Sequence, residues 1–331
     1  MTDGLIDVHA HFTTEDYIRA ATAAGHREAD GMPESYWPHW TIEDHLALMT
    51  DAGIDRAFLS ISSPGVYFGD PAAARRLARE VNQAAAQIKR NHPDRFGYFA
   101  SLPLPDIDGA LDEIGHAFTH GADGVIWMTN TAGHYLGDPQ LAPVLAELDR
   151  RGAVVFVHPT SCAGHEALAL GRPRPMVEFL FDTARTVIDF ILSGAAHRYP
   201  RLRLIVPHAG GVLPLLADRL ELFRTLSEDT DGPSVSELLH RFYYDLAGTP
   251  TQSQITALST ITTPEHLLYG SDYVWTRHPQ VLHALTTLDT TWTETDPTWR
   301  QQTTRNAHQL LGATPYARVS DERASPVSGR Q

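Results

Sequence analysis

The chain is poor in several things, and each shortage excludes something. Its 331 residues contain one cysteine, Cys162, so no internal disulfide can form. With no basic, apolar leader at Met1-Thr2-Asp3-Gly4, the expectation is a reducing cytoplasmic location. Lys89 is the one lysine, so any mechanism that needs a reactive amine must use it or fail. Lys and Arg total 26 against 40 Asp and Glu, a formal charge of −14 without a visible basic patch. That balance argues against nucleic acid or an anionic membrane as a partner. The longest apolar-looking stretch, Phe179 to Ala196, is broken by Asp182, Arg185 and Asp189. It falls short of the roughly 20 apolar residues that a bilayer demands and reads as a buried amphipathic helix. No Gly-x-Ser-x-Gly elbow is present, and Cys162 lacks an obvious paired base, so it is taken as a loop residue although His165 is near.

What is present is a core-forming composition, 42% hydrophobic and 20% charged, and 18 histidines. Short β-rich runs alternate with segments of helical period along nearly the whole length. The strand candidates are Leu5 to Val8, Ala57 to Ile61, Phe96 to Ala100, Gly124 to Trp127, Val154 to Val157, Leu202 to Val206, Tyr243 to Leu246 and Leu267 to Tyr269. Between them, sets such as Ile42/Leu46/Met49 and Leu77/Val81/Ile88 recur at three- and four-residue steps, giving each helix one buried face. Thr41 with Asp44 and Asp138 with Pro139 read as helix starts. Eight β/α pairs predict an α/β fold, a (β/α)8 TIM-type barrel. A doubly wound open sheet ranks lower, because His9-Ala10-His11 stands where its glycine-rich phosphate turn would be. Residues 1–316 are expected to form a single domain, with an insertion of about 12–40 after the first strand and a second long loop from Pro159 to Pro175 after the fifth. Residues 317–331 read as a disordered tail.

Polar residues fall at the strand ends. His9 and His11 follow strand one, His158 strand five, His208 strand six and Asp272 strand eight, so a barrel brings all five to one mouth. An HxH pair puts two imidazoles on one side of a pleat, because side chains repeat with period two. Imidazole and carboxylate suit Zn²⁺ or Mn²⁺, and three His with one Asp leave positions open for water or substrate. A lone His after a strand is ordinarily a hydrogen-bonded loop residue, but four in register with an aspartate outweigh that reading. His39, His45, His92, His116, His120, His197, His240, His266, His283 and His308 are taken as surface or capping residues, while His134, His165 and His278 sit in loops that could reach the mouth. Asp7 is expected to point away from a metal, and Asp245, ending strand seven, is functional or structural. Arg75, Arg76 and Arg79 read as a solvated helix face. Arg172 and Arg174 either meet an anionic substrate or are simply solvated.

Ile6-Asp7-Val8-His9-Ala10-His11-Phe12, Val157-His158-Pro159, Pro207-His208-Ala209-Gly210-Gly211 and Tyr269-Gly270-Ser271-Asp272-Tyr273 together resemble the amidohydrolase superfamily. More narrowly they are similar to its decarboxylase branch, which includes aminocarboxymuconate semialdehyde, γ-resorcylate and 6-methylsalicylate decarboxylases. The likeness covers roughly residues 5 to 312. Ser60 to Val66, Phe99 to Pro105 and Phe242 to Gly248 look most like the 6-methylsalicylate decarboxylase group. The resorcylate and carboxyvanillate enzymes carry a glutamate where His9 stands, which weakens a dihydroxybenzoate substrate.

The resemblance implies that His9, His11, His158 and Asp272 bind one divalent metal ion, with His208 as an acid/base or orienting group. Strand four has no lysine to bridge a second metal. The expected activity is metal-dependent, non-oxidative decarboxylation of a small ortho-hydroxybenzoate, with Asp272 giving the proton to the ring carbon and His208 sharing or relaying it. Phe12, Phe179 and Trp275 are aromatic walls of that site or else core. The alternatives are a lactone or amide hydrolase, or a hydratase of an unsaturated dicarboxylic acid, each using a metal-bound hydroxide. A non-catalytic metal-bound scaffold is a further reading. The expected partner is the small aromatic acid, and a homodimer, in which a partner could contribute an arginine, is the assembly considered.

Overall fold

The computed structural model describes residues 4–227, 232–248, 251–292 and 297–312; the tail expected at 317–331 lies outside them. Eight parallel strands form the sheet: β1 Leu5–His11, β2 Ile54–Ser60, β3 Phe96–Ser101, β4 Gly124–Met128, β5 Val154–His158, β6 Arg203–Val206, β7 Tyr243–Asp245 and β8 Leu267–Leu268. They neighbour one another in chain order. Parallel bridges Asp7↔Tyr269 and Ala10↔Tyr273 join the last strand region to the first and close the barrel, which removes the open-sheet alternative. A short antiparallel hairpin, Asn130–Thr131 with His134–Tyr135, follows β4.

The helices start and stop where local chemistry says they should. Thr41 accepts from the Asp44 amide at 3.1 Å to cap α1, Ile42–Ala52, and Gly53 ends it in the left-handed region at φ 69°. Asp70 caps α2, Pro71–Asn91, and Asp106 caps α3, Ile107–Thr119. Arg75 and Arg79 are not merely solvated: they pair with Asp106 and with Asp112 and Glu113, tying α2 to α3.

Two apolar layers result from strands buried on both faces. One lies between strands and helices. The other fills the lumen with Ile6, Val8, Phe58, Phe99, Ile126, Val154, Phe156, Ile205 and Leu268, and Ala307 and Leu310 of the helix Trp299–Gly312 join it. That helix seals the N-terminal end of the barrel, with Thr304 Oγ1 donating to Gly4 O at 3.3 Å and Arg203 to Leu310 O at 2.5 Å. The C-terminal mouth is left as the place for a site. The segment between β1 and α1 carries a helix, Glu15–Ala23, and single turns at Ala29–Gly31 and Glu34–Tyr36.

His45 corrects an expectation. It is fully buried, accepts from Trp40 Nε1 at 2.9 Å, and packs edge-on against Phe96 and Tyr273. Burial depresses its pKa to about 3, which keeps the ring neutral as that hydrogen bond requires. The buried face of α1 runs through His45, Leu48, Met49 and Ala52, one position round from the stripe read in the sequence.

Candidate metal centre

β1 and β5 each run further than the apolar pattern indicates, so His9, His11 and His158 end strands rather than follow them. A register irregularity between Asp7 and Ala10 marks a bulge in β1 beside His9. Asp272 lies in the turn after β8, its amide donating to His9 O at 2.8 Å and its backbone held at φ 55°. His208 follows β6 at φ 54°. Positive φ in such non-glycine residues costs strain that the surrounding structure must sustain. Gly270 permits the approach of β8 to β1, because a Cβ there would lie 2.6 Å from His9 Cβ.

The ring nitrogens sort cleanly into two sets. Each metal-candidate histidine commits Nδ1 to the protein. His9 Nδ1 donates to Asp245 Oδ2 at 2.9 Å, His158 Nδ1 to Pro159 O at 2.8 Å, and His11 Nδ1 to Ser60 Oγ at 3.0 Å. The opposite nitrogens of His9 and His11 are buried without a hydrogen-bond partner, and both lie 3.4 Å from Asp272 Oδ1. One ligand atom from each of His9, His11, His158 and Asp272 falls within 4.8 Å of all the others. Three imidazole lone pairs and a carboxylate converging in a buried space fit one divalent cation, and the Nδ1 partners fix the tautomers that ligation needs.

Electrostatics agrees with that donor set. Burial holds His11 below its ordinary pKa and His158 well below it, so both are neutral ligands in waiting. Burial opposes charge on Asp272, yet its contacts with His11, His208 and His9 bring it well below the usual carboxylate range. Burial also opposes a charge on His9, but Asp245 and then Asp272 outweigh it and push the imidazole up to about 10 in the metal-free protein. A bound cation would take the place of that proton.

Asp245, which the sequence leaves as functional or structural, touches both His9 and the His208 backbone. Besides holding His9, its Oδ1 accepts from the amides of His208 and Ala247, both at 3.0 Å, so one buried carboxylate positions two site histidines. Its place at the end of β7, level with the other strand-end groups, was the available signal. Asp7 is not part of the donor cluster: its Oδ1 accepts from the His9 and Ser271 amides, and burial raises it to about 7.

Above the cluster opens a cavity of about 340 Å³. His158, His208 and Asp272 form part of its lining, and Met32, Phe179, Leu180 and Trp275 part of its apolar wall. His208 Nε2 stands 3.7 Å from Asp272 Oδ2, and its Nδ1 has no protein partner. Phe179 and Trp275 therefore line the site, while Phe12 does not: it is buried edge-on to Trp40, as the core alternative had it. Arg172 is exposed on its loop. Arg174 lines a neighbouring cavity of about 560 Å³ and donates to Ser161 Oγ at 3.0 Å, so neither arginine reaches the metal cluster. His165 belongs to that neighbouring cavity, His134 pairs with Asp138, and His278 with Asp51. Cys162 is buried against Glu178, and burial raises its thiol pKa.

Comparison with known proteins follows this geometry. The family model described as amidohydrolase matches residues 6–313. The 6-methylsalicylic acid decarboxylase acuB of Aspergillus aculeatus is 38% identical over 280 residues, 81% of this chain and 83% of that protein. The 6-methylsalicylic acid decarboxylase of Penicillium expansum is 35% identical over 286 residues, 84% of this chain and 87% of that protein. A crystal structure of an amidohydrolase II superposes with a TM-score of 0.87 at 34% identity, covering 93% of this chain and 99% of that one.

Proposed function

We propose that this chain, which belongs to the amidohydrolase family, is a metal-dependent, non-oxidative decarboxylase of a small ortho-hydroxybenzoate, 6-methylsalicylate or a near analogue. One observation carries the proposal: three imidazoles and a carboxylate converge within 4.8 Å beneath a cavity of about 340 Å³. That volume is at the small end of the range for small-molecule sites, about 300–1,000 Å³. The similarity to two 6-methylsalicylic acid decarboxylases supports the choice of substrate.

His9, His11, His158 and Asp272 would hold Mn²⁺ or Zn²⁺, which when bound supplies a Lewis acid for the phenolic and carboxylate oxygens of the acid. The protein's own groups supply the rest. Phe179 and Trp275 bound the aromatic ring from the apolar side of the cavity. Asp272, protonated as the anionic substrate arrives, gives its proton to the ring carbon that bears the carboxylate. The bond between ring and carboxylate then breaks, its electron pair returns to the ring, aromaticity is restored and CO₂ leaves. The transferred proton stays on the product ring, and His208 Nε2, 3.7 Å from Asp272 Oδ2, passes a new proton from solvent to Asp272 for the next turnover. Asp245 acts at one remove, by orienting His9 and the His208 backbone.

The same proposal takes residues 1–316 as one catalytic unit with 12–40 inserted. A cytoplasmic location, supported by the lone Cys162, and a homodimer go with it. Among the described residues no helix is long and apolar enough to cross a membrane. The test is incubation of the protein loaded with Mn²⁺ or Zn²⁺ with a set of hydroxybenzoates that includes 6-methylsalicylate, following loss of acid and release of CO₂. Conversion without CO₂, with water added to a lactone or amide panel, would replace decarboxylation by hydrolysis.

A further inference from the structure

The reaction cavity has an unusual charge inventory. Among the described residues, its ionic and imidazole side chains are Asp30, His158, His208 and Asp272, and neither lysine nor arginine lines it. His158 and Asp272 belong to the metal cluster. Asp30 is left over, a carboxylate that the mechanism does not use.

Asp30 is held firmly. It comes from the long segment after β1, is 6% exposed, and adopts φ 50°, ψ 31°, the left-handed region also occupied by His208 and Asp272. Its Oδ1 accepts from Ser161 Oγ at 2.5 Å, and Ser161 Oγ accepts in turn from Arg174 Nε at 3.0 Å. The Arg174 guanidinium lies so close over Gly31, itself at φ 76°, that a Cβ there would collide with it. Two loops are thereby locked together by an arginine, a serine and an aspartate in series. Asp30 lines both the reaction cavity and its larger neighbour, whereas Arg174 lines only the neighbour.

We infer that Asp30 is a specificity-determining residue, confining the site to aromatic acids that carry a single carboxylate. The inference rests on the decarboxylase reading and narrows its substrate class. One carboxylate is met by the cation site and His208. A second finds no cationic side chain among the described lining residues, and where it reaches residue 30 it faces a carboxylate held in place by Ser161. Arg174, the arginine that could answer it, is tied to Ser161 on the far side of Asp30. A ring hydroxyl, by contrast, can donate to Asp30, so added phenolic groups are tolerated where added carboxylates are not.

The test compares salicylate with salicylates bearing a second carboxylate at each free ring position. Dissociation constants are read from stopped-flow tryptophan quenching before turnover in the Mn²⁺-loaded full chain, since Trp275 lines the cavity. Wild type should favour the monoacid by about tenfold or more over the diacid whose second carboxylate reaches residue 30, as like-charge juxtaposition demands. D30N should narrow that ratio by about tenfold for the isomer whose second carboxylate reaches residue 30. D30S, which removes the charge with less bulk, should do the same if D30N folds poorly. A ratio unchanged in both variants, or a wild-type protein that binds that diacid as tightly as salicylate, overturns the inference. In those cases continued decarboxylation of salicylate leaves the functional reading intact. Failure of wild type to bind or decarboxylate any monoacid removes the reading itself and the inference with it.

Discussion

Two cavities share the C-terminal mouth of the barrel, and the larger is not the one with the chemistry. The neighbour, about 560 Å³, lies beside the ends of β3 and β4 and is lined by residues such as Ser101, Trp127 and Asn130. Several of its polar side chains are already paired within the protein. Asn130 donates to Asp182 at 2.8 Å and to Ser161 O at 3.2 Å, His165 Nδ1 to Cys162 O at 3.0 Å, and Arg174 to Ser161. The reaction cavity, about 340 Å³, sits over the ends of β1, β5, β6 and β8, above the ring nitrogens of His9 and His11 that make no hydrogen bond and face Asp272 at 3.4 Å. Buried polar groups are costly to leave unpaired, so those left unpaired mark where a ligand belongs. Unmet demand, rather than volume, separates a site from a space.

The comparison breaks most simply if a ring nitrogen of the convergent cluster can be removed without consequence. His158→Ala deletes one of the three convergent lone pairs and should abolish metal retention and decarboxylation together, by about 10³-fold or more in rate. Metal analysis of the purified variant, read beside CO₂ release, checks both halves. Normal metal content with lost activity would mean that His158 serves the substrate and not the cation. Asp272→Asn is expected to be nearly as damaging in turnover, about 10²–10⁴-fold, because an amide has no carboxylic proton to give. It should nevertheless keep part of the metal, since its carbonyl oxygen can still ligate. CO₂ release near the wild-type rate would end the proton-donor role.

A milder and more diagnostic effect is expected one bond further out. Asp245→Asn keeps the shape but weakens the grip on His9 Nδ1, and partners of this kind are worth about 10–100-fold in metal affinity. Competition with a chelator should show that loss, with activity recovering at high metal concentration. If saturating metal restores nothing, Asp245 acts on His208, whose amide it also holds, more than on His9.

Much of this was legible in the residues, and the limits are physical. The alternation of strand and helix marks the barrel because each helix must bury one face, and His9, His11, His158, His208 and Asp272 stand out because strand ends converge in such a barrel. Periodicity says less about which face of a strand meets the lumen, since these strands are buried on both sides, and it says nothing of Phe12, which lies just past the end of β1 and reads equally as wall or core. His45 was misread because a polar residue on an apolar helix face looks like a surface group until its Trp40 partner is known. Arg174 reads from sequence as either substrate-facing or solvated, a choice set by its contacts with Ser161 and Gly31 from distant parts of the chain. Asp30 carries no motif and gains its meaning only from the two loops that enclose it.

The smallest expected effect bears most directly on the neighbouring cavity. His165 is a titratable imidazole in the larger of the two spaces, and a reading by size would make it a prime catalytic candidate. Its Nδ1 is already spent on Cys162 O within its own loop, and its other nitrogen faces Glu166 at 3.5 Å, a carboxylate on an exposed side chain. A ring so engaged gives up about 1 kcal/mol of net hydrogen bonding when removed, a local loosening of the loop and not of the metal cluster. His165→Ala should therefore leave metal content intact and change kcat/KM by no more than about fivefold, the rate equivalent of that energy. A fall of several hundredfold with full metal occupancy would show that the larger cavity takes part in turnover, and that counting unpaired nitrogens had located only half of the site.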